Sequence, residues 1–359
     1  MAAGWTYRAP VWLPGGHAQT LCTALWGRSH RIPPLSFKRQ RWFTPDDDFI
    51  DADWLERSPS LGLGAVQERN RAADDFKPPS RADGTTLVLF HGLEGSSRSH
   101  YAKTFAAEAQ RRGWVFVLPH FRGCSGPINL APRAYHSGDH EEIAWMLRRV
   151  REHVGPDCQL YAVGVSLGGN ALLRWAQEAD HSVAGVAALA TVSAPLDLTA
   201  AGNVIDSGFN RWIYAQMFLR TMKRKARSKG QQFPGLFDLQ RALAARTLRA
   251  FDDAFTAPLH GFAGVDDYWQ RASAKPRLAA IELPTLLLNA RNDPLVPASS
   301  LPQAGEAGPA AGPAVTLWQP ESGGHVGFPG GLRWGNGGAQ WDLQAMPAAV
   351  CAWLAAQSG

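Results

Sequence analysis

From residue 86 onward, short apolar runs alternate with longer stretches whose apolar positions recur at helical spacing. "TLVLF" (86–90), "WVFVLPH" (114–120), "CQLYAVG" (158–164), "VAGVAALATV" (183–192), "PTLLLNA" (284–290) and "AVTLW" (314–318) are almost continuously apolar, the pattern of strands buried on both faces. Between or after them, "RSHYAKTFAAEAQRRG" (98–113), "HEEIAWMLRRVREHV" (140–154), "NALLRWAQEA" (170–179) and "LQAMPAAVCAWLAAQ" (343–357) read as helices. Strand, helix, strand repetition predicts an α/β fold with a mostly parallel central sheet and helices on both faces. The alternation breaks between Pro195 and Arg277, where helical patterns follow one another with no strand between them. This predicts a helical cap insertion, residues 196–277, over one edge of the sheet within a single domain of residues 1–359.

The first eighty residues are less regular. "FTPDDDFIDADWLER" (43–57) reads as a turn entering an alternating edge strand, and "ERNRAADDFKPPSRADG" (68–84) as a solvated loop. "GGLRWGNGG" (330–338) has neither the lysine nor the strand-to-helix context of a phosphate loop and reads as a flexible loop.

Composition narrows the class. The formal charge of +5 is spread along the chain rather than gathered into a stripe, which argues against nucleic-acid binding. The four cysteines show no CxxC pairing and no ligand spacing, so a reduced, cytoplasmic setting is expected, with no metal and no cofactor. The start "MAAGWTYRAPVWLPGG" lacks a signal-peptide core, and no later run reaches the roughly 18 apolar residues of a membrane span.

Candidate chemistry centres on "YAVGVSLGGNALLRW" (161–175). Gly164-Val165-Ser166-Leu167-Gly168 follows a strand and opens a helix, the context in which G-x-S-x-G forms a nucleophile elbow. The glycines permit the tight turn, and the new helix aims its N-terminal amides at the hydroxyl, so the Leu167 N–H is an expected oxyanion donor. The base and its orienting carboxylate should follow in the order Ser, Asp/Glu, His. Asp293 in "LLLNARNDPLVP" and His325 in "ESGGHVGF" satisfy that order, although Asp293 before Pro also reads as a turn-forming residue. A second donor is expected from the His91-Gly92-Leu93 turn, with the Leu93 amide acting and His91 holding the turn.

Other features have plainer readings. His136, Asp139, His140 and Glu141 resemble a metal cluster, but acidic residues suit a helix start. "KRKARSK" (223–229) reads as the solvated end of an insertion helix, with contact to a membrane surface as the alternative. "FNRWIYAQMFL" (209–219) reads either as core or as the lining of an acyl pocket.

With these residues in place, the chain resembles the YheT-like branch of the α/β-hydrolase superfamily, a group of bacterial esterases whose eukaryotic relatives include lipases, phospholipases and medium-chain fatty-acid ethyl ester synthases. The likeness rests on "GHAQT" (16–20), "HGLEGSSRSHY" (91–101), "FRGCSGPINLAPRAYHSGD" (121–139), "GVSLGGN" (164–170), "FDDAFTAPLHGF" (251–262), "DYW" (267–269) and "GGHVGF" (323–328). It implies a Ser166–Asp293–His325 triad under a cap, acting on a small-molecule ester or lipid-like substrate. Asn292 stands where an Asp is frequent and Trp269 where a Tyr is usual, and the larger ring at 269, able to shorten a pocket, keeps the relatives' chain-length preference from being carried over. The same residues would serve an acyltransferase, and a hydrolase scaffold can also be a binding protein.

Overall fold

Successive residues of a strand face opposite sides of a sheet, so a strand that is apolar at every position needs cover on both. In the computed structural model, which describes residues 5–26, 35–56, 84–178, 185–303, 305–306, 314–335 and 338–357, the six apolar runs meet that condition. With a preceding hairpin, β1 (Phe37–Phe43) and β2 (Phe49–Leu55), they form β3 (Thr85–Phe90), β4 (Val115–Pro119), β5 (Gln159–Val165), β6 (Val186–Val192), β7 (Thr285–Leu288) and β8 (Val315–Trp318). The sheet runs β1-β2-β4-β3-β5-β6-β7-β8, antiparallel through β1, β2 and β4 and parallel from β4 to β8. The predicted loop at 68–84 lies outside the described residues except for its last position.

Each face has its own core. Val88, Ala162, Leu189 and Leu287 pack with Ile143, Met146 and Leu147 of α3 (His140–Val154) and with Leu172 and Leu173 of α4 (Leu167–Glu178). On the other face, Leu87, Leu89, Val163 and Leu286 meet Phe105 of α2 (His100–Arg112) and Val350 of the C-terminal helix Ala345–Ala355.

The first eighty residues hold the largest departures from expectation. A helix, α1 (Gly15–Trp26), spans the "GHAQT" stretch. β2 is not the edge strand and is buried throughout; the edge is β1, "FKRQRWF". Its outward-looking arginines hide the strand pattern because Arg39 and Arg41 sit opposite Asp53 and Asp51 in the register and bond to them at 2.7 and 2.8 Å. "GGLRWGNGG" is likewise not plain loop: its residues enter a two-stranded ribbon, β9 (Leu332–Gly335) with β10 (Gly338–Trp341).

Between β6 and β7 the described residues form only helical elements. α5 (Leu198–Ile205) is followed by a rod, here α6, in which Gly208–Asn210, a π-turn Arg211–Ala215 and Gln216–Gln232 run on without a break. Shorter turns then lead to α7 (Val265–Ala272). These helices stand above the C-terminal ends of β3, β5 and β6, not over an edge: a cavity is lined jointly by their side chains and by Leu93, Ser166 and Pro195, which follow those strands.

Candidate active site

Ser166 sits in the turn between β5 and α4 with φ of 53°, a left-handed conformation that costs a residue with a Cβ about 1–3 kcal/mol. The turn is held by its surroundings. The Ser166 amide donates to Val192 O at 2.8 Å, and the amides of Gly169 and Asn170 donate back to Ser166 O. Gly168 packs so closely under the end of β3 that a Cβ there would lie 2.5 Å from His91 O and 2.6 Å from Phe90 O. The small residues around the serine are therefore contact requirements of this turn.

The structure brings the three side chains expected from the sequence into one hydrogen-bonded line. His325 Nε2 lies 2.9 Å from Ser166 Oγ, and His325 Nδ1 lies 2.8 Å from Asp293 Oδ2. A carboxylate only accepts, so Nδ1 carries the proton and Nε2 is left to accept from the hydroxyl. Asp293 is buried, and its other oxygen accepts from the amides of Leu295 and Val296. One oxygen of Asp293 thus shapes the turn while the other faces the imidazole.

Leu93 and Leu167 line the same cavity as Ser166 and His325. Leu167 opens α4, where the first amides have no intrahelical acceptor. His91 is fully buried, and burial pushes its imidazole down to about 3. As a neutral ring it donates from Nδ1 to Gly92 O at 2.8 Å and accepts the Phe121 amide at Nε2, fastening the turn that carries Leu93. Tyr101 Oη accepts the Gly92 amide, and Tyr135 Oη accepts that of Glu94.

Sequence reasoning missed the residues that hold the histidine loop. Gln19 Oε1 accepts from the Gly323 amide at 2.8 Å and from Asn292 Nδ2 at 3.0 Å, while Asn292 Oδ1 accepts the Gly324 amide. Thr20 Oγ1 accepts the His325 amide at 2.8 Å and donates to Gly16 O. Ser193 Oγ accepts the Val326 amide, and His100 Nε2 lies 3.2 Å from Val326 O. α1 is thus a clamp on both the Asp293 and the His325 loops. The signal for them lies in the "GHAQT" string, residues 16–20, whose polar Gln19 and Thr20 stand inside a helix. Asn292 makes bonds that need an amide, both donor and acceptor, which an aspartate in its place could not supply. Of the six non-glycine residues with positive φ among the described residues, Glu94, Ser166, Ser193, Val326 and Phe328 all belong to these loops and turns, leaving only Asp47 elsewhere.

The cavity beside Ser166 measures about 130 Å³ and is mostly apolar. Phe218 and Met222 of α6, Phe251, Phe255 and Trp269 form part of its wall. The 209–219 stretch therefore divides, since Phe209, Trp212, Ile213 and Met217 face outward. The "KRKARSK" run departs from its solvated reading on one face only, since Arg224 and Arg227 are exposed. Lys225 Nζ donates to Glu94 at 2.6 Å, and Lys229 is buried, donating to the carbonyls of Asn129 and Ala131. Burial pushes the Lys229 ammonium down to about 8. Trp269 lies against Gly202 and donates from Nε1 to Asp252 Oδ2 at 2.9 Å. His136 precedes α3 instead of sharing its face with His140, and its ring packs against His260, Phe262 and Tyr268.

Comparison with known proteins agrees with this fold. The family model described as the alpha/beta hydrolase fold matches residues 85–332. YheT of Escherichia coli (strain K12), which its name calls a candidate esterase, is 38% identical over 317 residues, 88% of this chain and 84% of that protein. Phospholipase ABHD3 of Homo sapiens is 27% identical over 91% of this chain and 74% of its own length. Among solved structures, an esterase from Pyrobaculum calidifontis superposes with a TM-score of 0.51 at 15% identity, covering 94% of this chain and 89% of that one. The sheet order, the strand-to-helix turn and these matches together make the chain a member of the alpha/beta-hydrolase family, on the branch that includes YheT.

Proposed function

We propose that the protein is a serine carboxylesterase acting on short- to medium-chain acyl esters through a covalent acyl-enzyme. The observation that carries the reading is the line Ser166 Oγ, His325 Nε2, His325 Nδ1, Asp293 Oδ2, with spacings of 2.9 and 2.8 Å, of which Ser166 and His325 line an apolar cavity. Ser166 attacks the ester carbonyl as His325 takes its proton; His325 then gives that proton to the departing alcohol. Water repeats the sequence to release the acid. Asp293 holds the imidazole tautomer and stabilises its positive charge, and the Leu93 and Leu167 amides receive the oxyanion. The helical insertion acts as a cap whose inner wall receives the acyl chain. The cavity of about 130 Å³ is close to the roughly 150 Å³ that holds a benzene-sized molecule, which favours shorter chains.

The test is hydrolysis of p-nitrophenyl esters graded from acetyl to palmitoyl by the wild type and by Ser166→Ala. Turnover that peaks at short or medium chains and falls to the buffer rate in the variant is expected. Equal turnover by the two proteins would overturn the assignment, and product analysis with added ethanol reports whether water or an alcohol accepts the acyl group.

A further inference from the structure

The rod α6 has two working faces. Phe218, Met222, Lys225 and Lys229 turn inward to the cavity wall. The outward face changes character along its length. Its first half carries Phe209, Trp212, Ile213 and Met217, which are 55%, 76%, 39% and 55% exposed. The second half carries Arg220, Lys223, Arg224 and Arg227, and none of these four has a carboxylate within ion-pair distance among the described residues. Residues 207–237 contain seven Lys and Arg and no Asp or Glu, and only Lys225 and Lys229 of the seven are bonded inward. An apolar group of this size beside an unneutralised cationic group marks a binding surface.

We propose that this face docks the protein onto an anionic lipid bilayer, with Phe209, Trp212, Ile213 and Met217 entering the interface and Arg220, Lys223, Arg224 and Arg227 meeting the headgroup phosphates. Charge selects the occupant. A second copy meeting this face about a two-fold axis would bring no carboxylate to the four cations, because such an interface uses the same patch twice and residues 207–237 contain no Asp or Glu. A plane of phosphates neutralises all four together. Aromatic and aliphatic side chains in a helix flanked by arginine and lysine also suit the boundary between headgroups and acyl chains. Docking here would leave the cavity one helix diameter, about 10 Å, from the lipid. The surface is independent of the ester-cleavage reading, and its test measures binding without turnover.

The full chain is sedimented with vesicles of phosphatidylcholine and with vesicles of phosphatidylcholine containing phosphatidylglycerol, at low and high salt. The protein should pellet with the anionic vesicles, much less with the neutral ones, and less again at high salt. The double variant Trp212→Ser, Met217→Ser should lower partition by on the order of tenfold. The double variant Arg220→Glu, Arg224→Glu should abolish the anionic preference, at roughly fivefold or more per cation lost. All four side chains are exposed, so circular dichroism and melting temperature should match the wild type in both variants. Wild-type protein left in the supernatant with both vesicle types, or variants that pellet as it does, would overturn the proposal. So would a concentration-dependent dimer, seen by light scattering, that Trp212→Ser abolishes, since that assigns the face to a second copy.

Discussion

The strand ends and the helical insertion meet at the same cavity, but they are fastened differently. At the strand ends, most of the bonds that aim functional atoms involve backbone amides: Ser166 to Val192, Val326 to Ser193, His325 to Thr20 and Gly323 to Gln19. The insertion is tied to the sheet by side chains, Lys225 to Glu94, Lys229 to the Asn129 and Ala131 carbonyls, and Asn210 to Pro294 O. It also has an apolar cluster of its own around Leu219, Ala226, Phe251 and Phe255. At the strand ends the group held is the backbone of the catalytic loops, even where Ser193, Thr20 or Gln19 supplies the acceptor, whereas the insertion is held through the ends of its own side chains. Substitutions at the strand ends should therefore change rate, and those in the insertion should change selectivity or stability.

The sharpest break in that division would come at Asp293. Asp293→Asn keeps the turn-forming oxygen but favours the wrong imidazole tautomer, and kcat for a p-nitrophenyl ester should fall by about 10⁴-fold. A loss below tenfold would mean that the carboxylate is only a turn former. Next in size is the α1 clamp. Thr20→Val removes the acceptor of the His325 amide at nearly constant volume, and a misplacement of the ring by 1 Å costs on the order of 10²-fold. The loss should appear in kcat and in the rate of fluorophosphonate labelling of Ser166, with KM little changed. Thr20→Ser should restore both, which a general loss of packing would not allow.

In the insertion the expected sign of change is different. Trp269→Ala enlarges the cavity wall, so kcat/KM for decanoyl relative to butyryl esters should rise by about tenfold. An unchanged chain-length profile would place the acyl chain elsewhere. The smallest effect is at Asp252, whose carboxyl burial pushes up to about 6 although Thr256 and Trp269 donate to it. A buried acid with a raised value is protonated more readily when folded, so its destabilising charge is fully present above pH 6. That penalty is relieved as pH falls from about 6 to the unfolded value near 4. Asp252→Asn should therefore raise the melting temperature at pH 8, by about 1 kcal/mol of stability, and have little effect near pH 4. Equal gains at both values would show that charge is not the cause.

What could be read in advance follows from the same contrast. The parallel strands were legible because burial on both faces leaves an unbroken apolar run, and the Ser–Asp–His order was legible because each residue follows such a run. β1 was not, since its half-exposed arginines answer the aspartates of β2 and Lys38 and Gln40 occupy the other face, which leaves no apolar alternation to mark a strand. Lys225 and Lys229 looked solvated because nothing in a basic run reveals that one face of its helix closes over carbonyls and a carboxylate. Gln19 and Thr20 act through side-chain bonds to distant amides, and such bonds have no periodicity. No helix among the described residues is long and apolar enough to cross a membrane, as the hydropathy of the chain implied.

The clamp formed by α1 has a temporal consequence. Its bonds from Gln19 to Gly323 and from Thr20 to His325 join positions 304 and 305 residues apart. During synthesis the chain can pair β3, β4 and β5 and form the serine turn long before the histidine loop has left the ribosome. Closure across that separation comes late, because the entropy of joining distant segments must be overcome first. A nascent chain, or one truncated before His325, would hold a strained but unaligned Ser166, so the finished site reports that synthesis has passed the histidine loop.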